Sequence, residues 1–137
     1  MYKHPVTYID FNGNERKEDL YFHLSVPEVT RLEAEIGMSM EKYIKEVTAN
    51  QKLDELLGFL EKILLNAYGV KTLDGKSFRK TKEIREEFEY SQAYAEVFEQ
   101  MVTDPEVAKR FGENVADKGQ ARKNQVAPKV VTDKQEN

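Results

Sequence analysis

The side chains able to do chemistry are few and scattered. His4 and His23 are the only histidines. A metal-ligand or general-base role needs converging partners, and the spacing supplies none. Asp10, Asp19, Asp54, Glu55 and Asp74 could be assembled into carboxylate pairs, but with 25 acidic residues in the chain some pairs lie close by chance. Capping and solvated faces account for them. Asp74-Gly75-Lys76 lacks the run of glycines of a phosphate loop. Asn12-Gly13-Asn14 lacks the twelve-residue ligand pattern of a calcium loop. The chain has no cysteine, which excludes disulfides, thiolate catalysis and cysteine-based zinc sites. No catalytic residue, metal site or cofactor site is therefore assigned, and the chain reads as non-enzymatic.

The densest basic cluster is Lys76, Arg79, Lys80 and Lys82, with Lys71 near and Phe78 among them. Nucleic-acid patches mix charge and aromatics this way. The set is small and acid follows at once, and a net charge of −4 argues against a nucleic-acid binder. A protein-contact edge or an ordinary charged surface fits better. The aromatics say more. Seven tyrosines and seven phenylalanines occur without tryptophan, and tyrosine suits interfaces because it joins apolar area to a polar tip. The candidate partner-binding set is Tyr21, Phe22, Phe59, Tyr68, Phe78, Tyr94 and Phe98, read against the alternative that these rings line the rim of the core.

The elements that must position them follow from periodicity. Residues 6–11 and 20–24 read as strands joined through Asn12-Gly13, a strong hairpin signal. A lone hairpin is marginal in water, so one face must pack on helices. Ser25 with Glu28 forms a capping box over a first helix that ends at Gly37. Ser39 caps a second, with a break expected over 48–51. The third helix is the most apolar segment: Leu53, Leu56, Leu57, Leu60, Ile63, Leu64 and Tyr68 fall at helical spacing, widened by Phe59 and Leu65. It forms the centre of the core or offers part of its face to another protein. Leu60 is expected to be buried, so that its truncation costs about 2–5 kcal/mol, and Gly69 to end this helix in the left-handed conformation. A turn at Asp74-Gly75 follows, with Phe78 packing back on the helix end. Thr81 caps the next helical stretch, which Ser91-Gln92 interrupts, and Asp104-Pro105 opens the last helix.

The expected fold is α+β and mostly α: an N-terminal β-hairpin packed on about four to five helices. Residues 1–116 read as one globular domain. Residues 117–137 read as a flexible, disordered tail, with no aromatic and a charge of +2 against −6 for the body. No long apolar stretch follows Met1, so no secretory signal is read. Asp54, Glu55, Glu61 and Lys62 break the one long apolar window, so no membrane span is read either.

Three stretches carry a family resemblance. The first is Val6-Thr7-Tyr8-Ile9-Asp10-Phe11-Asn12-Gly13-Asn14-Glu15-Arg16 with Tyr21-Phe22-His23-Leu24-Ser25. The second is Ile63-Leu64-Leu65-Asn66-Ala67-Tyr68-Gly69-Val70-Lys71 with Asp74-Gly75-Lys76-Ser77-Phe78-Arg79-Lys80. The third is Phe88, Ser91-Gln92-Ala93-Tyr94 and Phe98, then Thr103-Asp104-Pro105 and Phe111. In this order they resemble the small tail assembly chaperones of long-tailed, siphovirus-type bacteriophages of Gram-positive hosts. The resemblance implies a host-cytoplasmic factor that binds and solubilises the tape measure protein, helps recruit the major tail tube protein, and is absent from the mature virion. In many such phages a frameshifted longer form exists. Other readings stay open: a tail completion or head–tail adaptor protein retained in the virion, or a small regulatory binding domain with no phage connection. Weak homo-oligomerisation is also open.

Overall fold

The computed structural model describes residues 1–116; the expected tail over 117–137 lies outside the described residues. Two strands, β1 (Tyr2–Ile9) and β2 (Glu15–Phe22), form the N-terminal hairpin. Three helices follow: α1 (Val26–Ile36), α2 (Met40–Ala49) and α3 (Leu53–Ala67). Then come β3 (Tyr68–Lys71) and β4 (Phe78–Arg79). The described chain ends with α4 (Lys82–Glu89), α5 (Gln92–Thr103) and α6 (Pro105–Asn114). The sheet is antiparallel throughout, in the order β1-β2-β3-β4. The α+β, mostly helical architecture is as expected, with six helices because Ser91 separates α4 from α5.

The hairpin is longer than the apolar pattern implied. Pairing runs from Tyr2 opposite Phe22 to Ile9 opposite Glu15. It passes through the polar run 15–19 because the partner strand satisfies that backbone. The alternation is as read: Tyr2, His4 and Val6 turn inward with Leu20 and Phe22, and Leu24 is buried beyond them. His4 is the one buried polar residue of the described chain, at 5% exposure. Its Nε2 lies 2.6 Å from Gln100 Oε1 and its Nδ1 3.0 Å from the Tyr2 hydroxyl. Because Oε1 only accepts, Nε2 donates, and Nδ1 is left to accept from Tyr2. This chain fastens β1 to α5.

Sequence reading treated Tyr68-Gly69 as a helix stop and missed β3 and β4. Gly69 does not take a positive φ. Tyr68 is already extended, at φ −67° and ψ 140°, so α3 becomes β3 with no intervening loop. The last-turn carbonyl of Ala67 accepts from the His23 N–H at 2.8 Å. Gly69 is glycine for a different reason: an added Cβ would sit 2.6 Å from Phe78 Cε2 and 2.8 Å from the Arg79 carbonyl oxygen. Phe78 thus lies over the strand position just past the helix end.

The caps are those the sequence announces. Ser25 and Glu28 exchange hydrogen bonds in a capping box, Gly37 closes α1 at φ 79°, and Ser39, Thr81 and Asp104 cap their helices; Ser91, read only as an interruption, caps α5 as well. The break after α2 places Gln51 at φ 55°. Glu28 has a second duty. Both its carboxylate oxygens accept from the Lys80 ammonium at 2.8 Å, and Lys80 also donates to the His23 carbonyl. The start of α1, the end of β2 and the β4–α4 turn meet there. Burial pushes the Glu28 carboxyl up, but the Lys80 ammonium and the Ser25 N–H outweigh it and hold the group below its ordinary 4.5. A depressed carboxylate adds stability above its unfolded value that is lost as pH falls through the folded one. Urea unfolding should therefore show this contribution intact above about pH 5 and fading as pH drops below 4.5. Glu28→Gln should flatten that part of the profile; a profile superimposable on the parent's would remove Glu28 from the acid response.

Candidate partner-binding groove

The core joins both ends of the described chain, from Tyr2 and Val6 to Phe111 and Val115. Phe22 has no exposed surface and meets Tyr68, Phe88 and Phe111 edge-on at 5.5–5.8 Å between ring centroids. Tyr68 stacks flat on Phe88 at 4.0 Å, Phe88 meets Tyr94 at 5.3 Å, and Tyr94 neighbours Phe98 at 6.1 Å. Burial, with Glu61 and Glu89 nearby, pushes the Tyr94 phenol up to about 12, and burial first also raises that of Tyr68. Both rings pack as neutral groups.

The structure therefore splits the seven candidate partner-binding residues. Phe22, Tyr68, Tyr94 and Phe98 are joined through Phe88 in one aromatic run, of which Phe22 is wholly core. Tyr21 faces the Lys71 ammonium at 5.3 Å, and Phe78 meets the His23 ring at 5.9 Å. Phe59, 8% exposed, pairs with Tyr43 at 4.9 Å on the far side of α3. The residue 20–24 strand offers no apolar face, since Leu20, Phe22 and Leu24 are all buried.

The surface α3 does offer is an open apolar groove of about 360 Å³. Met40, Ile44 and Thr48 of α2 form one wall, and Leu53, Leu56, Leu57 and Leu60 of α3 line its length. Val102 of α5 and Ala108 and Gly112 of α6 form the other wall; Phe59, Ile63, Met101 and Phe111 are its floor. The floor residues are 4–8% exposed, whereas Leu53 is 63%, Val102 47% and Ile44 39% exposed. Leu60 is only half-buried, which corrects the expectation of a core position. The reason lies in the helix itself. An apolar stripe running through 53, 56, 57, 60, 63 and 64 is wider than one neighbouring layer can cover, so its N-terminal half is left open.

Of the groove's lining residues, Thr48 alone carries a hydroxyl and none carries a charge. Such a site can bury apolar side chains but has no group to move a proton. Of the seven sequence candidates only Phe59 belongs to it. The sequence set names none of the groove's aliphatic residues, although the wide α3 stripe is read there as a face that another protein could cover. Among the described residues, no three histidine, aspartate or glutamate side chains gather as a metal set, and no helix is long and apolar enough to cross a membrane.

Comparison with curated proteins and with solved structures gave no match. The model of one family, described as phage tail assembly chaperone, matches residues 1–131. That match covers nearly the whole chain, and the family's description implies binding of tail proteins: the chain belongs to the phage tail assembly chaperone family.

Proposed function

We propose that this chaperone binds the tape measure protein of a long-tailed phage of Gram-positive hosts, keeps it soluble in the host cytoplasm, helps recruit major tail tube subunits, and leaves before the virion is complete. The observation that carries the reading is the uncharged, half-open groove along α3. A long helical client exposes apolar stripes until a tube encloses it, and an amphipathic helix laid in an apolar groove hides such a stripe. Three large aliphatic anchors would contribute roughly 5–9 kcal/mol of gross burial. Most of that is offset by the lost freedom of association. The result is a cover that arriving tube subunits can displace.

Co-expression with the tape measure protein tests this. The client is expected in the soluble fraction only when the chaperone is present; unchanged client solubility overturns the reading. Mass analysis of purified virions is expected to find no chaperone, whereas a stoichiometric copy number would make it a retained structural component instead.

A further inference from the structure

We propose that the cationic pocket between α1, α3 and α4 binds an acidic segment of a protein partner, taking a carboxylate between Arg31 and Arg85. The cavity measures about 270 Å³, and the buried side chains of Leu24 and Leu32 give it an apolar floor. Arg31, Lys62, Lys80 and Arg85 line it against two carboxylates, Glu28 and Glu35. Both carboxylates are already engaged. Glu28 is held by Lys80 at 2.8 Å and Glu35 by Lys62 at 2.9 Å. Arg31 stands three residues after Glu28 and four before Glu35, the spacing of ion pairs on one helix, yet lysines from elsewhere in the chain have taken both. Glu89, four residues beyond Arg85, lies by the Tyr94 phenol. Among the described residues, no hydrogen bond or ion pair holds either guanidinium.

The pocket therefore carries a surplus of positive charge, while residues 1–116 together carry −6. A guanidinium stays charged at any working pH and offers its N–H donors in a planar fork that matches a carboxylate edge to edge. Arg85 is half-buried, so water meets only part of its demand. Like charges gathered in one cavity repel, and an arriving carboxylate relieves that repulsion. The lining selects a carboxylate over a polyanion. Glu28 and Glu35 repel a phosphate dianion more than a single charge, and the acidic body repels a nucleic-acid strand. The volume is that of a side chain. A cavity of about 150 Å³ accepts a benzene ring, so a glutamate fits here with its methylenes against the leucines. Position separates the pocket from the groove. A helix turns about 100° per residue, which sets Lys62, Leu65 and Asn66 on the side of α3 opposite Leu53, Leu56 and Leu60. One helix thus serves two surfaces of different chemistry. The rim is open to water, so its charges are screened and a short segment binds with modest affinity.

Titration of the full chain with a peptide of alternating glutamate and alanine, followed by NMR, tests this. The Nε–Hε signals of Arg31 and Arg85 should move together as peptide is added and return as salt is raised. Arg31→Gln combined with Arg85→Gln should weaken binding by more than about tenfold. Lys42→Gln combined with Lys45→Gln makes an equal charge change at exposed positions of α2 and should leave binding nearly as it was. Because neither guanidinium holds another described residue, the arginine double variant should melt at or above the parent's temperature. Arginine signals that stay still at every peptide concentration overturn the proposal, and so does equal weakening in the two glutamine pairs. A short single-stranded DNA that binds these arginines more tightly than the peptide overturns it too. So does an arginine double variant that melts well below the parent, since the pair would then hold the fold instead of a ligand. The inference stands apart from the client reading. The titration contains no tape measure protein, so it can fail while client solubilisation stands, and co-expression can fail while the pocket stands.

Discussion

Phe22→Ala should lower the unfolding free energy by about 3–5 kcal/mol, roughly a fifth or more of the total for a domain of ordinary stability. The ring is fully buried and is the hub where the hairpin, β3, α4 and α6 converge, through Tyr68, Phe88 and Phe111. Four elements lose packing in one change, and the surrounding rings are too rigid to collapse into the space. Leu60→Ala is the contrast. Leu60 lines the groove half-buried, so its truncation removes less covered area and should cost about 1–2 kcal/mol. Urea or thermal melts of both variants settle the order. An equal loss in the two would mean that the hub is not where the rings place it.

The second large effect is on function and should leave the fold nearly untouched. Leu53 of α3 lines the groove's length and Val102 of α5 one of its walls, 63% and 47% exposed. Replacing both with aspartate buries no charge in the free protein, so stability should change by no more than about 0.5–1 kcal/mol. An apolar client helix would then have to strip water from two carboxylates, at a cost of several kcal/mol. The soluble fraction of co-expressed tape measure protein should fall about tenfold or more. A double variant that melts like the parent and solubilises the client equally well would remove the groove from the mechanism.

Much of the fold was legible because its signals are local. Asn12-Gly13 marks its turn, and Ser25 with Glu28, Ser39, Thr81 and Asp104-Pro105 each mark a helix start within four residues. The strands β3 and β4 were not legible. They have four and two residues, and they form only because β2 supplies partners far away in sequence. Gly69 misled for the same reason: its cause is the ring of Phe78, not a local φ requirement. The groove was half legible. The width of the α3 stripe shows an apolar surplus, but which part of it meets the core depends on where α5 and α6 settle. Periodicity marks a face without naming its neighbour, which is why Tyr21, Phe59 and Phe78 were grouped with an aromatic run that the fold builds from other residues.

The join between α3 and β3 has a mechanical meaning. Helix hydrogen bonding ends at Ala67 and strand geometry begins at Tyr68, with the Ala67 carbonyl gripped by the His23 N–H. A loop would absorb a small roll of the helix as slack, but no loop exists here. Any roll of α3 would therefore pass straight into β3 and, through the pairing of Gly69 with Tyr21 and Tyr68 with Phe22, into the hairpin.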